Sequence, residues 1–218
     1  MSNRYGKLPK NLGFMFCDHT EMMTYQYLPI KLNNSSLLEM EDRMLPFELI
    51  VKLAINDFIG EFGYNEYLQN YVYITLKCGY QAECTFNRKG YHSDGFLTDD
   101  INYIWSDRKP TIFNDSKYDL TLDDEVSLKE MEDQSLKENE KTYPMNTLLR
   151  LDQYSIHKVN ESSEFVFRKF LKISFSKDKY DLEGNSINRG LDYRWKYKQR
   201  KFNRNIPQTK VGYEDPAL

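Results

Sequence analysis

The chain lacks any apolar run long enough to span a bilayer, and its N-terminal MSNRYGKLPKN lacks the apolar stretch of a signal peptide. Cysteine is scarce and odd in number. Cys17, Cys78 and Cys84 show no framework spacing, which argues against a disulfide scaffold and predicts free thiols in a reducing, cytoplasmic setting. Internal repeats and low-complexity tracts are absent. There is no excess of basic charge: the net charge is -3, so binding to nucleic acid would need a local patch. Histidine is as scarce as cysteine, with only His19, His92 and His157, and that limits where a metal centre could be.

What is present suits one soluble domain of 218 residues, 40% hydrophobic and 29% charged, long enough to bury a sizeable core. Tyrosine (17) and phenylalanine (13) are abundant, and flat rings pack well on pleated, half-buried surfaces. TYQYLPIKL (24–32) reads as a strand ending at or resuming after Pro29. PFELIVKLAINDFIGEF (46–62) reads as a helix, with Pro46 in its first turn and Phe47, Ile50, Val51, Ala54 and Phe58 on one apolar face. Gly60 and Gly63 mark its end. NYVYITLKC, AECTF, INYIWS, PTIF, NTLLRLDQYSIHKV and EFVFRKFLKISFS have strand composition. A helix followed by many short strands predicts a mainly β fold with helical support (α+β), a sandwich or jelly roll rather than a doubly wound sheet.

The expected organisation is a single domain over 1–218: an N-terminal strand and supporting helix in 1–70, a core in 71–176, and a basic C-terminal extension in 177–218. The core is interrupted by an acidic insertion at 119–141, free of Gly and Pro, that reads as solvated and could hold a helix from Asp124 to Ser135. The pair Asp99-Asp100 and the run Asp123-Asp124-Glu125 read as solvated loop faces. In the extension, Arg189, Arg194, Lys196, Lys198, Arg200, Lys201, Arg204 and Lys210 are interleaved with Tyr193, Trp195, Tyr197 and Phe202. That mixture suits an anionic or nucleic-acid partner over Arg189 to Lys210, and the alternation at 193–198 suggests one more strand.

KGYHSDGF (89–96) carries the most specific chemistry. On a strand, residues two apart share a face, so His92 and Asp94 can aim a nitrogen and an oxygen into one cavity. A second histidine from a neighbouring strand would complete a two-histidine, one-carboxylate facial set with three open positions, the arrangement of non-haem Fe(II) oxygenases. His19-Thr20-Glu21 repeats the His-x-acid pattern. Downstream order favours the other: His157 follows His92 and Asp94, and Arg168 follows His157 by eleven residues on an apolar strand. An oxygenase using 2-oxoglutarate as chelating co-substrate needs such a cation for the far carboxylate, and arginine offers a matched planar fork. Taken alone, the pattern fits equally a polar turn at His92, a core or surface His157 and a snorkelling Arg168.

Together, YHSDGFLTDDINYIWSDRKPTIF, NTLLRLDQYSIHKV and RKFLKISFSKD resemble the core of the Fe(II)/2-oxoglutarate-dependent dioxygenase superfamily over about residues 70 to 176. The resemblance implies a double-stranded β-helix, with iron held by His92, Asp94 and His157 and the 2-oxoglutarate far carboxylate held by Arg168. It further implies hydroxylation of a substrate C–H bond with release of succinate and CO2, ascorbate being a candidate reductant. Relatives place Ser or Thr two residues after the arginine. Here Phe170 stands there, so the second donor to that carboxylate comes from elsewhere, with Tyr73, Asn102 and Tyr103 as candidates. Trp105 and Tyr103 could wall the substrate pocket or belong to the core. The substrate class stays open among small molecules, protein side chains and nucleobases. The competing expectations are a cupin-like metal site without 2-oxoglutarate and a non-enzymatic binding module for an anionic partner.

Overall fold

The computed structural model describes residues 4–82 and 87–200. Among them are ten strands and three α-helices. Strands β1 (Lys10–Phe14) and β2 (Met23–Lys31) lead, through a 3-10 turn at Asp42–Phe47, to helices α1 (Glu48–Phe62) and α2 (Tyr64–Gln69). Then come β3 (Tyr71–Gln81), β4 (His92–Ser93), β5 (Ile101–Ser106) and β6 (Ile112–Asn114). Helix α3 (Asp124–Gln134) precedes β7 (Glu140–Thr142), β8 (Thr147–Leu151), β9 (Ile156–Lys158) and β10 (Val166–Ser176).

All strand pairs are antiparallel, and the fold is mainly β with helical support. A six-stranded sheet runs β1-β8-β5-β10-β3-β2, and a four-stranded sheet runs β4-β9-β6-β7. Within β3–β10 the pairing is nested: first with last (β3·β10), second with seventh (β4·β9), third with sixth (β5·β8) and fourth with fifth (β6·β7). Strand β10 is the axis of the large sheet, paired with β3 from Val166↔Gln81 to Ser176↔Tyr71 and with β5 on its other side.

The period of two in β3, β5 and β10 divides the large sheet into two faces. One packs on α1: Val72, Ile74, Leu76, Tyr103, Trp105, Leu171, Ile173 and Phe175 join Phe47, Ile50, Val51, Ala54 and Phe58 in the main core. Phe58 stacks flat on Phe175, with centroids 4.1 Å apart. The other face turns toward the small sheet. Between the sheets, Ile104, Phe113, Leu149 and Leu151 form a second apolar cluster. Pro46 lies in the 3-10 turn and not in the first turn of α1. Gly60 is inside the helix, and Gly63 caps it at φ 91°. Strand β2 passes through Pro29, an edge position where no ladder donor is needed.

The acidic insertion differs from the solvated reading. Asp123 caps α3 by accepting from the N–H groups of Glu125 and Val126. Leu128 and Met131 are buried, and Met131 packs with Tyr91, Tyr118 and Ile156. Asp100 is likewise no solvated loop acid: it is buried and accepts the Tyr180 hydroxyl. The 193–198 stretch alternates as expected but joins no sheet, and its one ladder contact is an isolated bridge between Leu182 and Lys198. Cys17 and Cys78 are buried free thiols. Part of the AECTF stretch, including Cys84, and the distal basic residues Lys201, Arg204 and Lys210 with Phe202 lie outside the described residues. No helix among the described residues is long and apolar enough to cross a membrane.

Candidate metal centre

His92 on β4 stands directly opposite His157 on β9. Asp94 follows in the turn closed by Gly95, whose φ of 73° is left-handed. A Cβ at Gly95 would come within 2.8 Å of the Thr98 hydroxyl oxygen and 2.9 Å of Asp100 Cβ, so glycine is required there. One ligand atom from each of His92, Asp94 and His157 lies within 4.8 Å of the others. Among the described residues this is the one such His/Cys/Asp/Glu group. His19 does not take part. Its ring lies 2.9 Å from the Glu21 carbonyl, and the Glu21 carboxylate pairs with Arg43.

Both histidine tautomers follow from their partners. His92 Nδ1 lies 3.1 Å from the Gly90 carbonyl and His157 Nδ1 lies 2.9 Å from the Ser155 carbonyl. A carbonyl only accepts, so each Nδ1 donates to its carbonyl, and Nε2 is the ring atom left to face a metal. His157 Nε2 is 3.6 Å from Asp94 Oδ2. Burial first, and then the neighbouring His157, push the His92 pKa down to about 3, which keeps the ring neutral. For Asp94, burial acts to raise the pKa, but Lys172 and the two histidines outweigh it and hold the carboxylate well below its ordinary range. Two imidazole nitrogens and one carboxylate suit a divalent first-row metal.

These groups open into a cavity of about 630 Å³ whose lining includes His92, Asp94, His157, Arg168, Phe170 and Lys172. Arg168, Phe170 and Lys172 alternate on β10 and so share its cavity face. Arg168 is 2% exposed. It donates to the Arg108 carbonyl at 3.0 Å and to Gln81 Oε1 at 3.5 Å, and its guanidinium lies 4.9 Å from the Phe170 ring centre. Among the described residues no carboxylate lies within ion-pair distance of it, and burial pulls its pKa down to about 10. Asp107 offsets part of that burial from beyond ion-pair distance, and a buried guanidinium without a close carboxylate partner is suited to receive one.

No protein-family model, curated protein or solved structure matches this chain.

The other expected residues are not brought into this cavity. Tyr103 and Trp105 point to the α1 face: the Tyr103 hydroxyl donates to Asp57 and the Trp105 indole to the Met15 carbonyl. Asn102 is on the inter-sheet face, but its amide oxygen is taken by Ser174 at 2.6 Å. Tyr73 is fully buried, donates to the Asp178 carbonyl, accepts from Tyr180 N–H and stacks on Tyr180. It thereby fastens the 178–180 segment at one end of the cavity. In the extension, Tyr193, Trp195 and Tyr197 are half-buried while Arg194, Lys196 and Lys198 are exposed. Trp195 packs edge-on against Tyr71 and Tyr73 of the sheet and also meets Tyr193, Tyr197 and the Lys179 ammonium beside it.

Two residues near the centre escaped the sequence reading. Lys172 is 8% exposed, and its Nζ lies 3.1 Å from Asp94 Oδ2. The period of two from Arg168 could have found it. Tyr27 lies on a bulge of β2, with φ of 44°, and its hydroxyl is 3.2 Å from Lys172 Nζ. No pattern in the sequence signals that strained backbone.

Proposed function

We propose that the protein is an Fe(II)- and 2-oxoglutarate-dependent dioxygenase that hydroxylates a C–H bond of its substrate. The observation that carries this is the pairing of the His92, Asp94 and His157 cluster with the buried Arg168, which makes no ion pair among the described residues, in one cavity. The nested pairing of β3–β10 supports the finer fold assignment, a jelly roll of the double-stranded β-helix kind: an eight-strand hairpin rolled so that first and last strands meet. In that arrangement the ligands belong to the second and seventh strands and the arginine to the eighth.

His92 Nε2, His157 Nε2 and the Asp94 carboxylate would hold the iron. When bound, iron and 2-oxoglutarate supply oxygen activation, with oxidative decarboxylation to succinate and CO2. The chain's own part is orientation and shielding. The Gly90 and Ser155 carbonyls hold both imidazole rings, and the Gly95 turn aims Asp94. Arg168 would hold the far carboxylate of 2-oxoglutarate, with Phe170 and Ile104 as apolar lining that limits water.

The test is anaerobic titration with Fe(II) and then 2-oxoglutarate, following the weak visible charge-transfer absorption of the chelate. The expected outcome is a band that needs both, and succinate on admitting O2. His92→Ala or Asp94→Ala should abolish both, whereas Arg168→Ala should mainly raise the 2-oxoglutarate requirement. Metal binding that survives loss of both His92 and His157, or metal binding without 2-oxoglutarate binding, overturns the proposal.

A further inference from the structure

We infer that Lys172 couples the two ligands of the centre: it opposes a metal ion bound alone and favours a metal ion bound together with a dicarboxylate. The inference rests on the dioxygenase reading and adds to it a residue that the motif does not include.

The starting point is a cation already at the centre. Lys172 Nζ lies 3.1 Å from Asp94 Oδ2, and that same oxygen is 3.6 Å from His157 Nε2. The ammonium is therefore beside the carboxylate that the metal needs. It is also confined. Lys172 is 8% exposed, its ammonium is 5.0 Å from the Tyr27 ring centre, and the Tyr27 hydroxyl is 3.2 Å away. Tyr27 is in turn fixed: its N–H donates to Thr75 Oγ1 at 3.1 Å, and its ring meets Tyr180 edge-on at 4.9 Å. A left-handed non-glycine residue on a strand bulge is a strained arrangement that its surroundings must hold.

Charge then decides the sign. Without metal, the Lys172 ammonium is paired with the Asp94 carboxylate at 3.1 Å. A divalent ion held by Asp94 must share its field with the Lys172 ammonium, and Arg168 adds a further positive charge to the same cavity wall. The other carboxylates lining the cavity offset this little. Asp100 is engaged by the Tyr180 hydroxyl, and Asp124 and Asp178 are solvent-exposed. A doubly charged anion relieves the excess. Arg168 and Lys172 are four residues apart on one strand face, about 13 Å between Cα atoms, and side chains of their length can reach the two ends of a short diacid between them. The metal and the anion should then bind as a pair, each raising the affinity of the other by the same factor.

The experiment measures Mn(II) affinity with and without saturating 2-oxoglutarate, by calorimetry or by the electron paramagnetic resonance signal of free Mn(II). Wild type is compared with Lys172→Met, Lys172→Gln and Lys172→Arg, after thermal melts confirm that each folds. In Lys172→Met and Lys172→Gln, Mn(II) alone should bind more tightly, on the order of tenfold, while the enhancement by 2-oxoglutarate shrinks by a similar factor. Lys172→Arg keeps the charge and should keep the wild-type pattern. General damage to the site would weaken both ligands, so the opposite signs identify the coupling. Enhancement unchanged in the two neutral variants overturns the role of Lys172 and leaves the dioxygenase reading standing. Mn(II) binding to wild type with no enhancement by 2-oxoglutarate overturns both.

Discussion

Single positions hold the centre's geometry, and Gly95 is the sharpest of them. Its φ is 73°, and a Cβ there would come within 2.8 Å of Thr98 Oγ1, so Gly95→Ala must shift the turn carrying Asp94. The expected cost is about 1–3 kcal/mol in chemical denaturation, with weaker Mn(II) binding, because the carboxylate would no longer face both histidines. At this scale the sequence was readable where one rule sufficed. His92, Asp94, His157 and Arg168 share one cavity: alternation along β10 accounts for Arg168, the pairing of β4 with β9 for the two histidines, and the Gly95 turn for Asp94. The same alternation sends Tyr103 and Trp105 to the α1 face, and it brings Lys172 to the centre while Lys169 reaches the Cys17 carbonyl instead. Tyr73 and Asn102 could not be sorted this way, since their roles depend on partners more than 70 residues distant, the 178–180 segment and Ser174.

Elements divide the work between stability and site. Helix α1 supports the face of the large sheet away from the cavity, so Phe58→Ala should cost about 3–5 kcal/mol of stability while leaving the 2-oxoglutarate requirement unchanged. Helix α3 acts on the site itself. Glu132 accepts the Tyr91 N–H at 2.9 Å, next to His92, and its carboxylate would lie 3.1 Å from a Cβ at Gly90. Glu132→Ala should therefore lower Mn(II) affinity as well as stability, the latter by about 1–3 kcal/mol for the unpaired N–H. Long elements were legible because β3, β10 and α1 repeat their pattern several times. Strand β4, with two residues, is too short to show a period, and β9, with three, shows barely one. The packed character of α3 was hidden by its charge, since only Ser127, Leu128 and Met131 turn inward.

Across the whole molecule, buried titratable groups set the pH range of the metal-free protein. His92 is held at about 3 against 6.5 in the unfolded chain, and Asp94 lies well below 3.8. Below pH 6.5 the unfolded state takes up the His92 proton that the folded state refuses, so unfolding free energy falls with acidification from 6.5 toward 3. Asp94 adds to the loss below 3.8. On the alkaline side, burial raises Tyr73, Tyr103 and Tyr180 above 10, so the unfolded chain releases protons that the folded state retains, and stability falls as pH rises past 10. Urea midpoints measured from about pH 3 to about pH 11 should trace this dome, and His92→Phe should flatten its acid limb.

All three ligands sit on or beside β4 and β9, strands of two and three residues. So few ladder bonds make that pair an early place for local opening, and a divalent ion joining His92 to His157 would close it with a bond across the strands. Backbone amides at 92–94 and 156–158 should then exchange deuterium quickly in metal-free protein and slow markedly with Mn(II), while amides of β10 stay protected in both. Isotope exchange at a handful of positions would thus report metal loading directly, before any substrate is known.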